Sequence, residues 1–159
     1  MDIKKTINFM RENVDPDFDF VDNSNREVPF TKLKKNIKNT KLVLISSGGF
    51  HLKDDESFDT EDPYGDPSYR LIPKETNPDL IEISHTHYDH KYVKKDLNCA
   101  FPLELLRGLE REDIIGRLAE ENYSFMGYCL KTEELKENAQ KLARKLFSKN
   151  VKAALIAPT

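Results

Sequence analysis

Three apolar runs along the chain have the length of β-strands: residues 41–46, 80–84 and 151–156. The first is a continuous run of leucine, valine and isoleucine, and such runs are typical of strands covered on both faces. Segments with helical periodicity separate the runs, and strands separated by helices favour parallel pairing. We therefore predict that the three runs are strands that lie parallel in one sheet.

Apolar residues recur at helical spacing in four other segments. A short helix is predicted over residues 2–13, and Pro102 can open a second helix that runs to residue 109. A third helical segment is predicted around residues 114–118. The clearest helix covers Thr132–Phe147, with glutamates in its first turn. Together these elements predict an α/β fold, a three-layer sandwich with a mainly parallel sheet and right-handed crossovers.

Two long segments carry little periodicity. Residues 14–31 are rich in Asp and Asn, so residues 1–31 are expected to form a helix plus an irregular arm. Residues 52–79 are acidic and hold four prolines, which predicts a long connection with little regular structure. A length of 159 residues suits one well-buried domain, and we expect a single α/β domain over residues 1–159.

Composition and charge exclude several classes of function. With 25 basic and 28 acidic residues, the net charge of −3 gives no field that attracts nucleic acid or an anionic membrane. No apolar stretch approaches the roughly 20 residues that span a bilayer, and the N-terminus lacks the apolar core of a signal peptide. Cys99 and Cys129 match no disulfide or zinc pattern, so both are expected to be small buried hydrophobes in a reducing cytoplasm.

Three of the four histidines cluster directly after the second apolar run, in the segment 85–90, which reads His-Thr-His-Tyr-Asp-His. At the end of a strand, His85 and His87 project from the same face because side chains alternate, and Asp89 and His90 lie on the turn that follows. Imidazole is the usual side chain for binding a metal or moving a proton near neutral pH. All four residues are therefore candidates for supporting acid and base chemistry, with a polar cluster that only shapes a loop as the alternative.

The same segment has the H-x-H-x-D-H pattern that resembles the metal-binding signature of the metallo-β-lactamase fold. A di-metal site of that type needs further histidines downstream, and none follows His90. A single metal held by His85, His87 and His90, or with Asp89, is still chemically possible because three protein ligands plus water suffice for catalytic zinc. A single-metal hydrolase is therefore kept as an alternative function, although no metal is expected.

A second candidate site follows the first predicted strand. Ser47, Gly48 and Gly49 can bring backbone N–H groups to an anion, since glycine allows close approach and unusual dihedral angles. His51 lies just beyond them, and Arg70 is a further candidate partner for a carboxylate. These five residues are the predicted substrate-binding group, with an ordinary turn and a surface ion pair as the alternatives.

The two candidate sites are expected to meet. Ligands of open α/β sheets bind beyond the carboxyl ends of the strands, and parallel strands place those ends together. We therefore predict that residues 47–51 and residues 85–90 converge at one edge of the sheet, close to Thr159.

Six segments, taken in order, resemble the glycine/sarcosine/betaine/D-proline reductase selenoprotein B family. Residues 47–55, Ser-Gly-Gly-Phe-His-Leu-Lys-Asp-Asp, are similar to the family's T/S-G-G-x-H-L-K-D-D segment. The other matching segments are residues 66–70, 84–89, 96–103, 115–119 and 123–128. The ordered set covers roughly residues 28–159 and is far more specific than any single motif.

The resemblance implies a subunit of a reductive deaminating complex in amino-acid fermentation. It implies a partner subunit that carries a pyruvoyl group, an amino-acid substrate such as D-proline, glycine, sarcosine or betaine, and assembly into an oligomer. No cofactor of the chain's own is expected. The family's selenocysteine or cysteine nucleophile lies just after the strand that ends here near Thr159, and this sequence has no matching position. The expectation is a chain truncated before its redox residue and inactive alone, with a D-proline-type subunit favoured.

Two other functions stay open beside this one. A relative without the redox residue would be a non-catalytic protein that binds a small ligand or a partner subunit. The single-metal hydrolase is the other alternative, and its candidate ligands are those of the histidine cluster.

Overall fold

The computed structural model describes residues 3–13, 16–18, 27 and 31–159. The chain divides into two compact units, Met1–Lys32 and Leu33–Thr159. In the first unit the predicted N-terminal helix is confirmed as α1, Ile3–Asn13. Most of the predicted irregular arm, residues 14–31, lies outside the described residues. No helix within the described ranges is long and apolar enough to cross a bilayer.

The second unit is built on a four-stranded sheet and a two-stranded ribbon. Its elements in chain order are β1 Leu42–Ser46, β2 Phe50–Leu52, β3 Tyr69–Pro73, β4 Ile81–Ile83, α2 Leu103–Arg111, β5 Glu121–Phe125, α3 Thr132–Ser148 and β6 Ala153–Ala157. The strand order of the sheet is β3-β5-β1-β6, in which β1 is parallel to both β5 and β6, while β3 is antiparallel to β5. The predicted α/β fold with a mainly parallel sheet is confirmed.

Side chains of β1 alternate between two apolar clusters, one on each face of the sheet. Leu42 and Leu44 pack in the cluster that contains Leu103 and Leu106 of α2. Val43 lies on the other face, in the cluster that contains Leu142 of α3. A helix therefore covers each face of the sheet, which is the three-layer arrangement expected from the continuous apolar run of β1.

The prediction that the second apolar run joins this sheet is wrong. Residues 81–83 form β4, which pairs antiparallel with β2 in a separate ribbon on the α2 face. The reason is visible in the run itself, because Glu82 is exposed between the partly buried Ile81 and Ile83. Such alternation is typical of a strand with one covered face, whereas an interior strand of a parallel sheet is covered on both.

Two strands and one non-helical segment differ from expectation. β3 lies inside the connection that was expected to lack regular structure, and β5 occupies the interior of the sheet. The helix predicted around residues 114–118 is absent from the structure. Asp113 there has φ of 54°, which ends the helical path, and Leu118 instead forms a parallel bridge with Leu42.

Candidate functional site

The chain leaves the carboxyl ends of β1 and β5 towards opposite faces of the sheet. β1 is followed by the ribbon and α2 on one face, and β5 is followed by α3 on the other. A crevice at such a topological switch point is where open α/β sheets bind ligands. Ser47 follows β1 and Gly127 lies beyond the end of β5, so these two residues flank the position that this topology assigns to a ligand, called the crevice below.

Two buried serines hold the turn that follows β1. The Ser46 hydroxyl donates to the carbonyl of Ala100 at 2.9 Å and accepts the N–H of Gly48 at 3.1 Å. The hydroxyl of Ser124, on β5, accepts the N–H of Phe50 at 2.8 Å. The start of the ribbon is thereby tied to the sheet by side-chain oxygens rather than by a continuous strand.

Gly49 allows the histidine segment to approach this turn. Its φ is 69°, a backbone conformation that glycine adopts without strain. A side chain at this position would meet the carbonyl of Ser84 and would lie 3.0 Å from Cβ of His85. The Gly49 carbonyl also accepts the N–H of Ser84 at 2.9 Å. The close contact of these two backbone segments carries His85 to the mouth of the crevice.

His85 lies at the crevice as a buried hydrogen-bond donor that has no acceptor among the described residues. The residue is 6% exposed, and its Nδ1 accepts the N–H of His87 at 3.0 Å. The proton of the neutral ring therefore resides on Nε2, which is buried and has no hydrogen-bond partner in the part of the chain that the structure describes. A side chain at Gly127 would lie 3.0 Å from this Nε2 and 3.3 Å from Oγ of Ser47. Because Gly127 has no side chain, Nε2 of His85 and Oγ of Ser47 face the same small space.

Burial is the main reason that the pKa of His85 lies below its ordinary value, and the nearby His87 and His90 lower it further. A ring that resists protonation is suited to donate a hydrogen bond from Nε2, and less suited to act as an acid. The acid and base role expected for His85 stays a prediction, and hydrogen-bond donation from Nε2 is the role that its neutral ring favours.

Tyr88 lies between His85 and His90 and ties the cluster to the glycine turn. Its ring centroid is 4.9 Å from that of His85 and 4.6 Å from that of His90, both in edge-to-face contact. Its hydroxyl donates to the carbonyl of Gly48 at 3.0 Å. Burial raises the pKa of Tyr88 to about 12, so the phenol keeps the proton that this bond needs. Sequence reasoning missed Tyr88 as a site residue, although it sits inside the histidine motif.

His87 is exposed and stacks face to face on Tyr128, with ring centroids 3.8 Å apart and planes 10° from parallel. Its Nδ1 lies 2.9 Å from the hydroxyl of Thr86. The imidazole is therefore held in one orientation at the surface of the crevice, where a ligand can reach it. Sequence reasoning also missed Tyr128, which lies in a family-matching segment but has no local signal for this contact.

The end of β6 meets the same crevice through Ser47. The hydroxyl of Ser47 accepts the N–H of Thr159 at 3.0 Å and lies 3.2 Å from the Thr159 hydroxyl. The Ser47 N–H donates to the carbonyl of Ala157 at 3.2 Å. Ser47, His85 and Thr159 are thus brought together, as expected for the two candidate sites.

The side chains of His51 and Arg70 form their hydrogen bonds with groups outside the crevice. His51 is buried in β2, with Nδ1 donating to the carbonyl of Leu52 and Nε2 accepting from the hydroxyl of Ser84, each at 2.8 Å. The guanidinium of Arg70 lies 4.4 Å from the ring centroid of Phe58 and donates to the backbone carbonyls of Glu56 and Ser57. Arg70 therefore organises the acidic connection, and the structure does not bring it to the crevice.

The other predicted chemical groups are more dispersed. Asp89 is exposed, and its carboxylate accepts the N–H of Lys91 at 2.9 Å within its own turn. Among the residues that the structure describes, no group of three or more His, Cys, Asp or Glu side chains is placed to hold a metal ion. Both cysteines are free thiols. Cys99 is exposed and Cys129 is half-buried, which corrects the expectation that both are buried.

We expect His85 to make the stability of the protein depend on pH. Its pKa is depressed in the folded state, so below its ordinary value of 6.5 the unfolded chain binds a proton that the folded chain does not. Stability should therefore fall as the pH drops from 7 towards 5. His85→Asn keeps an acceptor for the N–H of His87 but cannot titrate, and denaturant unfolding at several pH values should give it a shallower dependence. Equal dependence in both proteins would contradict a buried, neutral His85.

Comparison with known proteins identifies a family. Residues 8–159 match the family model described as glycine/sarcosine/betaine reductase selenoprotein B. The chain is 34% identical over 128 residues to the D-proline reductase subunit gamma of Acetoanaerobium sticklandii. It is 28% identical over 135 residues to the sarcosine reductase complex component B subunit beta of Peptoclostridium acidaminophilum. It is 26% identical over 155 residues to the glycine reductase complex component B subunit gamma of Carboxydothermus hydrogenoformans.

The extent of these matches differs between the chain and its relatives. The matches cover 80%, 83% and 96% of this chain, but only 52%, 31% and 34% of the three relatives. The chain therefore spans about half the length of the D-proline relative and about a third of the other two. No solved structure gives a significant match. The family match extends over nearly all of the chain, and the protein belongs to the glycine/sarcosine/betaine reductase selenoprotein B family.

Proposed function

We propose that this chain is part of an amino-acid reductase subunit that cleaves the C–N bond of its substrate reductively, with D-proline as the favoured substrate. The observation that carries the proposal is the convergence of Ser47, His85 and Thr159 at the topological switch point of the sheet. In the family resemblance, the selenocysteine or cysteine nucleophile follows directly after the position of Thr159. The crevice would then surround the reacting atoms.

Each residue of the crevice has a role that its geometry supports. The neutral His85 would donate a hydrogen bond from Nε2 to an anionic atom in the crevice, and the Ser47 hydroxyl would be a second polar contact. The exposed His87, oriented by Tyr128, is the imidazole best placed to give a proton to the departing nitrogen. The pyruvoyl group that activates the substrate amine would belong to a partner subunit, and the relatives are themselves named as subunits of reductases or reductase complexes.

The 159 residues are proposed to be inactive as a reductase without the segment that carries the nucleophile. The chain spans about half of the D-proline relative, and neither Cys99 nor Cys129 has a second cysteine within a few residues to resolve a mixed intermediate. Thiol-dependent reduction requires reduced thiols, so the proposed location is a reducing cytoplasm.

The test is to compare the 159-residue chain with a longer chain. The longer chain has cysteine or selenocysteine directly after Thr159 and continues with the second half of the Acetoanaerobium sticklandii relative. With the pyruvoyl partner subunit present, thiol-dependent reduction of D-proline, glycine, sarcosine and betaine is measured. Activity is expected only from the longer chain, and serine in place of the added cysteine should abolish it.

Substitutions in the longer chain test the crevice itself. Ser47→Ala should lower the rate, because Ser47 contacts Thr159, whereas Ser57→Ala should not, because Ser57 uses only its carbonyl to bind Arg70. Robust activity from the 159 residues alone would contradict the proposal. A longer chain that binds the partner subunit but reduces none of the four substrates would favour the non-catalytic relative. Reading the gene beyond codon 159 gives a further check, since the proposal expects a selenocysteine or cysteine codon to follow.

A further inference from the structure

The outer strand of the sheet, β6, presents an apolar edge. It lies next to β1, and no described strand pairs with its other side. Its sequence, Ala-Ala-Leu-Ile-Ala, carries no charge. Leu155 is 39% exposed and Ile156 is 66% exposed. Natural proteins protect edge strands with charges, proline or a covering segment, and β6 has none of these within the described residues.

The exposure extends to both faces of the sandwich. Leu155 is in register with Leu44, which faces α2, and Ile156 is in register with Ile45, which faces α3. Phe147, near the end of α3, is 73% exposed, and the Lys152 amine lies 4.6 Å from its ring centroid. A single added strand would satisfy the backbone edge but would leave these side chains uncovered. More than one added strand is therefore needed to cover the surface formed by Phe147, Leu155 and Ile156.

The opposite edge of the sheet is protected. β3 ends at Pro73, which cannot donate a backbone hydrogen bond, and its Ile72 is fully buried. The guanidinium of Arg70 also holds the acidic connection against this edge through Glu56 and Ser57. The contrast between the two edges shows that the exposure at β6 is specific to that side of the sheet.

We propose that the second half of the family's chain docks on β6, pairs with its free edge and continues the three-layer sandwich over Leu155 and Ile156. The match covers 52% of the D-proline reductase subunit gamma, so about half of that relative has no counterpart in these 159 residues. In the family resemblance that remainder follows the position of Thr159. A continued sandwich is the occupant that covers the edge and both faces together. The proposal uses the longer chain of the proposed function but does not depend on its activity.

Docking at β6 would change the position of the crevice in the molecule. Ser47 and Thr159 lie at the carboxyl ends of β1 and of the edge strand β6, so the edge of the sheet bounds this pair on one side. With further strands beyond β6, the same residues would lie in the interior of a wider sheet. Water would be excluded from them on both sides, and polar contacts are stronger in such a setting.

Hydrogen exchange tests the docking directly. Amide exchange is compared between the 159-residue chain and the longer chain that continues with the second half of the Acetoanaerobium sticklandii relative. Outward-facing amides of residues 153–157 should exchange at least about tenfold more slowly in the longer chain, because they gain acceptors there. Amides of β1, paired on both sides in each chain, serve as the control and should not change. Equal exchange at β6 in the two chains would overturn the proposal.

A pair of substitutions gives a second readout. Ile156→Lys should leave the denaturation midpoint of the 159-residue chain unchanged, and should lower it in the longer chain where Ile156 is covered. Leu105→Lys, at an exposed position on α2, is the matched control and should act equally in both chains. Equal effects of Ile156→Lys in both chains would overturn the proposal. So would protection of β6 in the short chain that grows with protein concentration, since a second copy would then be the occupant. Neither readout depends on catalysis. A longer chain that is inactive as a reductase but shows slowed amide exchange at β6 would therefore contradict the proposed function and not the docking.

Discussion

Gly49→Ala is expected to lower the free energy of unfolding by about 3 kcal/mol, from backbone strain and steric overlap together. Alanine resists the φ of 69° at this position, and its methyl group would meet the carbonyl of Ser84. The approach of Gly49 to Ser84 is also what positions His85, so the histidine segment should shift. Denaturant unfolding gives the stability change, and amide chemical shifts of residues 84–88 report the displacement.

Gly108→Ala is the matched control for this prediction. Gly108 lies within α2, where an added methyl group meets nothing closer than the Arg111 guanidinium at 3.9 Å. The same chemical change should raise stability here by about 0.5–1 kcal/mol, because glycine is a poor residue in a helix interior. If both substitutions changed the free energy of unfolding in the same direction, the close contact between Gly49 and Ser84 would not constrain the fold.

Asn122→Leu should destabilise the protein by about 3 kcal/mol, because it leaves two buried backbone groups without partners. Asn122 is fully buried in β5, where Oδ1 accepts the N–H of Leu44 at 2.9 Å and Nδ2 donates to the carbonyl of Ala119 at 3.2 Å. Leucine has the same branched shape and the same number of side-chain heavy atoms, so most of the loss would come from the hydrogen bonds and a smaller part from its larger methyl groups. Thermal or denaturant unfolding checks the prediction.

Asn138→Leu separates this effect from the general cost of removing an amide. Asn138 is only half-buried on α3 and makes one bond, to the carbonyl of Pro67 at 3.0 Å. Solvent can replace that bond, so its loss should cost less than about 1 kcal/mol. Similar losses of stability at both positions would mean that the hydrogen bonds of the Asn122 side chain do not stabilise the sheet.

Elements with strong apolar patterns could be predicted from the sequence, and those built on polar side chains could not. β1 and α3 were predicted within one or two residues, because a continuous run and a long helical period each have one explanation. β5 was missed since Asn122 and Ser124 are polar and yet buried. Oδ1 of Asn122 accepts the N–H of Leu44 in β1, and Oγ of Ser124 accepts the N–H of Phe50 in β2. No local sequence pattern predicts side-chain bonds of this kind.

The candidate site shows the same division. Ser47 and His85 do meet, but the physical reason given for it was wrong, because β4 is not a strand of the main sheet. The two residues meet because Gly49 turns the chain back and pairs it with Ser84. Arg70 has the chemistry of a carboxylate ligand, yet its donors are used within the loop before it. Residue type identified these candidates, and only long-range packing decided between them.

The unpaired Nε2–H of His85 gives the protein a built-in probe of its own crevice. A nitrogen-bound imidazole proton that is shielded from water exchanges slowly, and its magnetic resonance signal can then be observed directly. An acceptor that enters the crevice would form the first hydrogen bond to this proton and move its signal downfield. Occupancy by carboxylates, thiolates or whole substrates could therefore be followed without a label and without turnover.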